Sequence, residues 1–268
     1  MESKIFKRGC KSLGGGLTII KLGGSVITDK SIPYKLEERN IYHIALDIKS
    51  YGKGDIILLH GGGSVGHYLV EAFKLHQPSK QIPPLHVATL SMEMDKLTNK
   101  IVEIFIEVGI PVMSVPTHAV VSANAGVPKV VDLSPVKNML SGGYMPLMRG
   151  DVVPDSEKGF SILSGDDLSV LLASELGVSR VIFLMDVEGI IGPDGKVIKK
   201  LRSEEFNESL IWPANGKFDV TGGLRKKLDV MKVLAEKGIR VFILSPKIKG
   251  RLLNALSDKP FLGTEVIC

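Results

Sequence analysis

The chain has 268 residues, 44% of them hydrophobic and 24% charged, with 34 Lys and Arg against 29 Asp and Glu. That length and apolar content suit one large α/β domain, or two lobes with a real core. The net charge of +5 reads first as a basic surface with no specific role, whose field can also help attract anionic substrates, while the single Trp and the lack of a long Lys/Arg run argue against nucleic acid as a partner, and no run of 18 apolar residues offers a membrane span.

Cys10 and Cys268 have neither disulfide nor metal-ligand spacing, so the sequence predicts an intracellular, cytoplasmic protein. Residues 1–16 carry Lys4, Lys7, Arg8 and Lys11 but no apolar core, and are expected to form a flexible tail rather than a secretory signal. Residues 17–21 read as a strand running into the glycine turn Gly23-Gly24-Ser25. Residues 36–51 have helical spacing (Ile41, Ile44, Ala45, Ile48). Residues 55–59 read as a second strand, which breaks into Gly61-Gly62-Gly63 before a helix over 64–75. A polar loop leads to a long helix over 85–108 and a short strand over 111–115.

Residues 116–164 hold short β-like pieces (130–131, 145–148, 152–153) that read as hairpins at the sheet edge. The α/β rhythm then returns, with a helix over 167–176 and a strand over 181–185. A hairpin turn at Asp194-Gly195 is followed by a return strand over 196–199. The last predicted elements are a helix over 221–237, a strand over 241–244, a helix over 248–257 and a strand over 263–267. Such alternation predicts helices covering a largely parallel sheet, with ligands at the strand ends.

Two glycine turns, each after a strand, can present backbone N–H groups to anions without Cβ clashes. Together they suggest two phosphate groups brought face to face. Lys21, inside an apolar run, must snorkel or pair. Lys30 is by default a solvated lysine. His60 ends a strand and reads as a satisfied core histidine, whereas His67, at a helix start, is better placed to meet an anion. Residues 148–151 read as a plain β-turn or a backbone N–H donor site. Ser164-Gly165-Asp166-Asp167 puts two carboxylates at a helix start, either as caps or to hold lysines or a magnesium–phosphate complex. Asp186 follows a strand, as a turn residue or a nucleotide contact. Asp219-Val220-Thr221-Gly222-Gly223 is a third glycine turn, with Lys226 and Lys227 just beyond. Gly61, Gly63 and Gly66 match a dinucleotide spacing, but no acidic strand end follows about 20 residues on. No nucleophile–base pair of the hydrolase kind is present.

Taken together, Lys-Leu-Gly-Gly-Ser (21–25), His-Gly-Gly-Gly-Ser-Val-Gly-His (60–67), Gly-Asp (150–151), Ser-Gly-Asp-Asp (164–167), the turn at 186–189 and Asp-Val-Thr-Gly-Gly-x-x-x-Lys (219–227) resemble the amino-acid kinase superfamily. Within it the chain is most similar to the archaeal-type isopentenyl phosphate kinases, through residues 23–30 and a His placed like His67. The resemblance implies a three-layer αβα sandwich with a largely parallel sheet, in one domain over 17–268. It implies an acceptor-binding lobe from residue 17 to about 164 and an ATP-binding lobe over 165–268. It implies ATP with Mg²⁺, a small phosphate acceptor, a homodimer, and no nucleic-acid or membrane partner.

Carried over by residue, Lys21, Leu22, Gly23, Gly24, Ser25 and Gly63 face the ATP phosphates. Asp166, Asp186, Gly223 and Lys227 belong to the ATP side. Gly62, His67 and Gly150 meet the acceptor phosphate, and Lys30 stabilises the transition state. Lys21, Lys30 and His67 are the implied catalytic set. The chain departs from the family's frequent aromatic at position 65 (Val65) and Tyr at position 149 (Arg149). An isoprenoid tail would need an apolar pocket, with Val70, Phe73, Leu90, Met94 and Ile101 as candidates, although each of them reads by default as ordinary core. Competing readings are a kinase of another small phosphate or a fosfomycin-like phosphonate, and a non-catalytic nucleotide- or oxyanion-binding protein.

Overall fold

The computed structural model describes residues 16–29, 31–32, 34–206 and 222–268. β1 (Thr18–Leu22) is buried along its whole length, and runs into the single-turn α1 (Gly24–Ile27). α2 (Glu38–Tyr51) buries the predicted Ile41, Ile44, Ala45 and Ile48 and stops at Gly52, whose φ of 62° is the left-handed closure that glycine adopts freely. β2 (Ile56–His60) leads into α3 (Gly63–Ala72). α4 (Pro84–Glu107) opens with a proline in its first turn, where the missing N–H costs nothing.

The middle of the chain keeps hairpins at two of the three predicted pieces, though not at the edge of the main sheet, and departs from the expectation at the third. β3 (Val112–Ser114) is followed by α5 (Thr117–Val120), β4 (Val121–Asn124), β5 (Val127–Val130) and α6 (Ser134–Ser141). β6 (Met145–Arg149) joins the main sheet between β2 and β3 rather than forming a hairpin. β7 (Asp151–Asp155) and β8 (Gly159–Leu163) form an antiparallel hairpin, as do β4 and β5, and the two hairpins meet through β4 and β7 in a separate four-stranded sheet, in the order β5-β4-β7-β8. The pieces are strands, as their composition implied. The place of β6 and the meeting of the two hairpins are set by long-range packing that alternation cannot report.

α7 (Gly165–Leu176), β9 (Arg180–Leu184), β10 (Lys200–Arg202), α8 (Gly222–Glu236), β11 (Arg240–Leu244), α9 (Arg251–Leu256) and β12 (Thr264–Ile267) complete the fold. The turn at Asp194-Gly195 is present, with Gly195 at φ 75°. Its return segment makes only one bridge, Ile191 to Val197, and the strand itself starts later, at Lys200.

Among the described residues the main sheet has eight strands, in the order β10-β12-β11-β9-β1-β2-β6-β3. Every pairing is parallel except β11–β12. Successive residues of its strands face opposite sides. Ile20, Leu22, Leu58 and Leu184 pack into one core with α2 and α4. Ile19, Leu59, Phe183 and Ile243 pack into another with α7 and α8. Two cores separated by one sheet make three layers, the expected αβα arrangement. β1 lies between β2 and β9 with Leu22 level with both His60 and Leu184, so the glycine turns after β1 and β2 emerge side by side at the same edge.

Candidate active site

The two turns touch through bare backbone. A Cβ on Gly24 would sit 2.7 Å from the Cα and N of Gly63, and one on Gly61 would sit 3.4 Å from the Gly24 nitrogen. Gly63 has φ +55°, and a side chain there would collide with Thr28. Thr28 is the strut between the turns. Its hydroxyl donates to the Gly24 carbonyl at 2.8 Å and accepts from the Ser64 N–H at 2.8 Å. It lies within the 23–30 segment that carries the resemblance, which assigns it no role; its i, i+4 spacing from Gly24 hints at the first of these bonds.

A cleft of about 500 Å³ opens over this junction, within the usual range for a small-ligand site. Lys21, Gly23, Gly24 and Ser25 line one part of it, Gly63, Ser64, His67 and Tyr68 another, and Met185 and Lys227 the rest. Seven of the residues named from sequence thus face one space. His67, in the first turns of α3, is exposed toward it.

Lys21 does not snorkel to solvent. It is 5% exposed, its Nζ lies 2.6 Å from Asp166, and it sits over the Phe183 ring at 5.8 Å. Lys227, from α8, donates to the other oxygen of Asp166 at 2.5 Å. Burial drives the Lys21 pKa down, and Asp166 opposes that shift. Burial also pushes the Asp166 carboxyl up, but the two ammonium groups outweigh it and hold it at about 2. Ser164, not either aspartate, caps α7, accepting the Asp167 N–H at 3.1 Å. That leaves Asp166 for Lys21 and Lys227, and Asp167 for Lys226 at 2.6 Å. The second alternative for these carboxylates, holding lysines, is the one observed.

Residues 148–151 do not form a β-turn. Gly150 is the single link between β6 and β7, where the chain crosses from one sheet to the other. Its N–H donates to the His60 carbonyl at 2.9 Å, and a Cβ there would lie 2.7 Å from the Gly165 nitrogen. Gly62 is the residue before α3. Leu22 is fully buried in β1, does not line the cleft, and accepts the Gly61 N–H on its carbonyl at 3.1 Å. Asp186 follows β9 and pairs with Lys247, while Glu188 pairs with Arg251. Gly223 is in the first turn of α8. Lys30, residues 219–221 and the tail residues 1–15 lie outside the described residues.

Residues 16–245 match the model of the amino acid kinase family. The chain belongs to that family. Among its relatives is an isopentenyl phosphate kinase of Methanocaldococcus jannaschii, 32% identical over 93% of this chain and 98% of that protein. Another, from Methanothermobacter thermautotrophicus, is 31% identical over the same shares. A crystal structure of an isopentenyl phosphate kinase superposes with a TM-score of 0.79 at 27% identity, covering 93% of this chain and 99% of the other. Within the amino acid kinases the chain therefore groups with the isopentenyl phosphate kinases.

Two features of this amino acid kinase were not foreseen. Val70, Phe73, Leu90, Met94 and Ile101 do not line a tail pocket. Leu90, Met94 and Ile101 are core residues, with Val70 and Phe73 packed on the same cluster. A different apolar cavity, of about 460 Å³, is bounded by Ile82, Val87, Val152, Pro154 and Phe160, with Ser91 and His118 in its wall. The helical face of α4 that alternation identified is the core face, and the cavity opens on its N-terminal end instead. Second, Arg149 is a buried cation. Its guanidinium lies 2.5 Å from Asp95 and 3.3 Å from the fully buried Asp151. His118 bonds Asp151 at 2.8 Å, which raises its pKa. Val65 is buried in the core.

Proposed function

We propose that this chain transfers the γ-phosphoryl group of ATP to isopentenyl phosphate, giving isopentenyl diphosphate and ADP, in isoprenoid biosynthesis. The observation that carries the reading is the meeting of two glycine turns, two lysines and His67 around one cleft. A phosphomonoester oxygen is already anionic near neutral pH, so the acceptor needs no general base. It attacks the γ-phosphorus as the bond to the β-bridging oxygen breaks and ADP leaves. The obstacle is repulsion between two phosphates, about 4 kcal/mol per unit charge pair at 4 Å and an effective dielectric near 20. Fixed cations and aligned N–H donors offset it without reorganising.

In this reading Lys21, Gly23, Gly24, Ser25 and Gly63 hold the ATP phosphates with Lys227. Gly62, Gly150 and His67 hold the acceptor phosphate, and Lys30 bears on the transferring group. Asp166 fixes both lysines, and Asp186 and Gly223 belong to the nucleotide side. Among the described residues no group of three His, Cys, Asp or Glu could hold a metal, and Asp166 is already neutralised. Mg²⁺ is accordingly read as arriving on ATP, where it screens phosphate charge. The apolar cavity beside Val152, two residues beyond Gly150, suits a hydrocarbon tail. A homodimer working in the cytoplasm, with an acceptor lobe to about residue 164 and an ATP lobe after it, completes the proposal. No described helix is long and apolar enough to cross a membrane.

The test is acceptor-dependent ADP release with ATP–Mg²⁺ and isopentenyl phosphate, beside dimethylallyl phosphate, fosfomycin, uridine monophosphate and N-acetylglutamate. Turnover dominated by isopentenyl phosphate is the expected result. A preference for another acceptor would keep the phosphate machinery and overturn the substrate.

A further inference from the structure

His60 is fully buried, yet both ring nitrogens are engaged: Nδ1 lies 3.0 Å from the Gly61 carbonyl and Nε2 2.9 Å from the Thr98 hydroxyl. A carbonyl only accepts, so Nδ1 must carry a proton. Burial pushes the His60 pKa down to about 4, so the ring is neutral at physiological pH and Nε2 is a bare acceptor. Among the described residues its partner is Thr98, whose hydroxyl must then turn its proton toward the ring. The alternative acceptor, the Met94 carbonyl at 2.8 Å, lies within α4 and already has the helix's own bonding. Thr98 in turn accepts from Arg149 Nη1 at 3.3 Å. The chain of donors therefore runs in one direction, from the Arg149 guanidinium through Thr98 and His60 to the Gly61 carbonyl.

Both ends of this chain belong to the acceptor side. Gly61 precedes Gly62, and Arg149 precedes Gly150, whose N–H is itself bonded to the His60 carbonyl. The Arg149 carbonyl is tied to the Thr117 hydroxyl at 2.6 Å. Asp95 and Asp151 fix the guanidinium.

We propose that Arg149 is a positioning residue for the acceptor phosphate: through Thr98 and His60 it locks Gly61 and Gly62 in register with Gly150. The inference rests on the acceptor reading of Gly62 and Gly150 given above. A chain of oriented donors aimed at one peptide carbonyl polarises that turn and fixes its N–H groups, while touching no substrate. The side chains of Arg149, Thr98 and His60 make no hydrogen bond to the Gly23–Ser25 turn, so the effect falls on the acceptor.

Thr98→Val removes the relay while keeping side-chain volume and leaving the Arg149–Asp95–Asp151 ion pairs in place; Thr98→Ser restores the hydroxyl. The expected result for Thr98→Val is a KM for isopentenyl phosphate raised about tenfold with the KM for ATP unchanged, and recovery in Thr98→Ser. Equal loss on both substrates, or no change in the acceptor KM, would overturn the proposal. A second measurement stands apart from turnover. Long-range ¹H–¹⁵N spectra of the wild-type chain should show His60 protonated on Nδ1 and bare on Nε2. The opposite tautomer would overturn the relay even if Thr98→Val fails to fold. If the wild type ignores isopentenyl phosphate but shows the Nδ1–H tautomer, the substrate reading fails and the relay stands.

Discussion

Replacing Asp166 by Asn tests the ion-paired floor of the site. The carboxylate lies 2.6 Å from Lys21 Nζ and 2.5 Å from Lys227 Nζ. Burial opposes its ionisation, but the two ammonium groups bring its pKa to about 2, below the ordinary 3.8. The gap corresponds to about 2 kcal/mol of stability at neutral pH. Because the folded pKa is depressed, that contribution is fully present above 3.8 and is lost as pH falls through about 2. The substitution also leaves the buried Lys21 ammonium without its carboxylate, and breaking a buried pair from one side costs about 3–5 kcal/mol. Urea unfolding at pH 7 should therefore show Asp166→Asn less stable by about 3 kcal/mol, with the gap closing between pH 4 and pH 2. Lys21, already pushed down by burial, loses the group that holds its proton. Turnover of the variant should fall on the alkaline side at lower pH than in the wild type. A stability gap under about 1 kcal/mol at pH 7, or one that does not change between pH 4 and pH 2, would refute the reasoning.

Gly24→Ala places a methyl 2.7 Å from the Gly63 backbone, so the turns must separate. Turnover should drop by about 100-fold with a stability loss of about 1–3 kcal/mol, measured by steady-state kinetics and thermal unfolding. Thr28→Val leaves the Gly24 carbonyl and the Ser64 N–H without their shared hydroxyl. It should cost about 1–3 kcal/mol and raise KM for both substrates, unlike Thr98→Val. His67→Ala should depress turnover strongly while ATP affinity, followed by calorimetry, stays nearly intact; unchanged turnover would remove His67 from the acceptor site.

Much of the site was legible because its logic is local. A strand of apolar residues ending at Lys21 and another ending at His60 each break into glycines, and parallel pairing puts both breaks at one edge. The core role of His60 also followed from its place at a strand end. Other features were not legible because distant segments decide them. Met145–Arg149 has the composition of an edge piece but is drawn into the main sheet between β2 and β3. Arg149 sits in a short polar break that resembles a turn, and only α4 and α5, packed beside it, turn it into a buried cation. The default core reading of Val70, Phe73, Leu90, Met94 and Ile101 holds, but the cavity was not legible, since helical periodicity reports which face is apolar, not whether that face meets core or cavity.

The most direct measurement is ³¹P NMR of the chain with ATP–Mg²⁺ and isopentenyl phosphate. The account predicts that the phosphomonoester signal of the acceptor is replaced by the coupled pair of a diphosphate, in step with ADP. ATP consumption that leaves the phosphomonoester signal in place would contradict transfer to an acceptor phosphate.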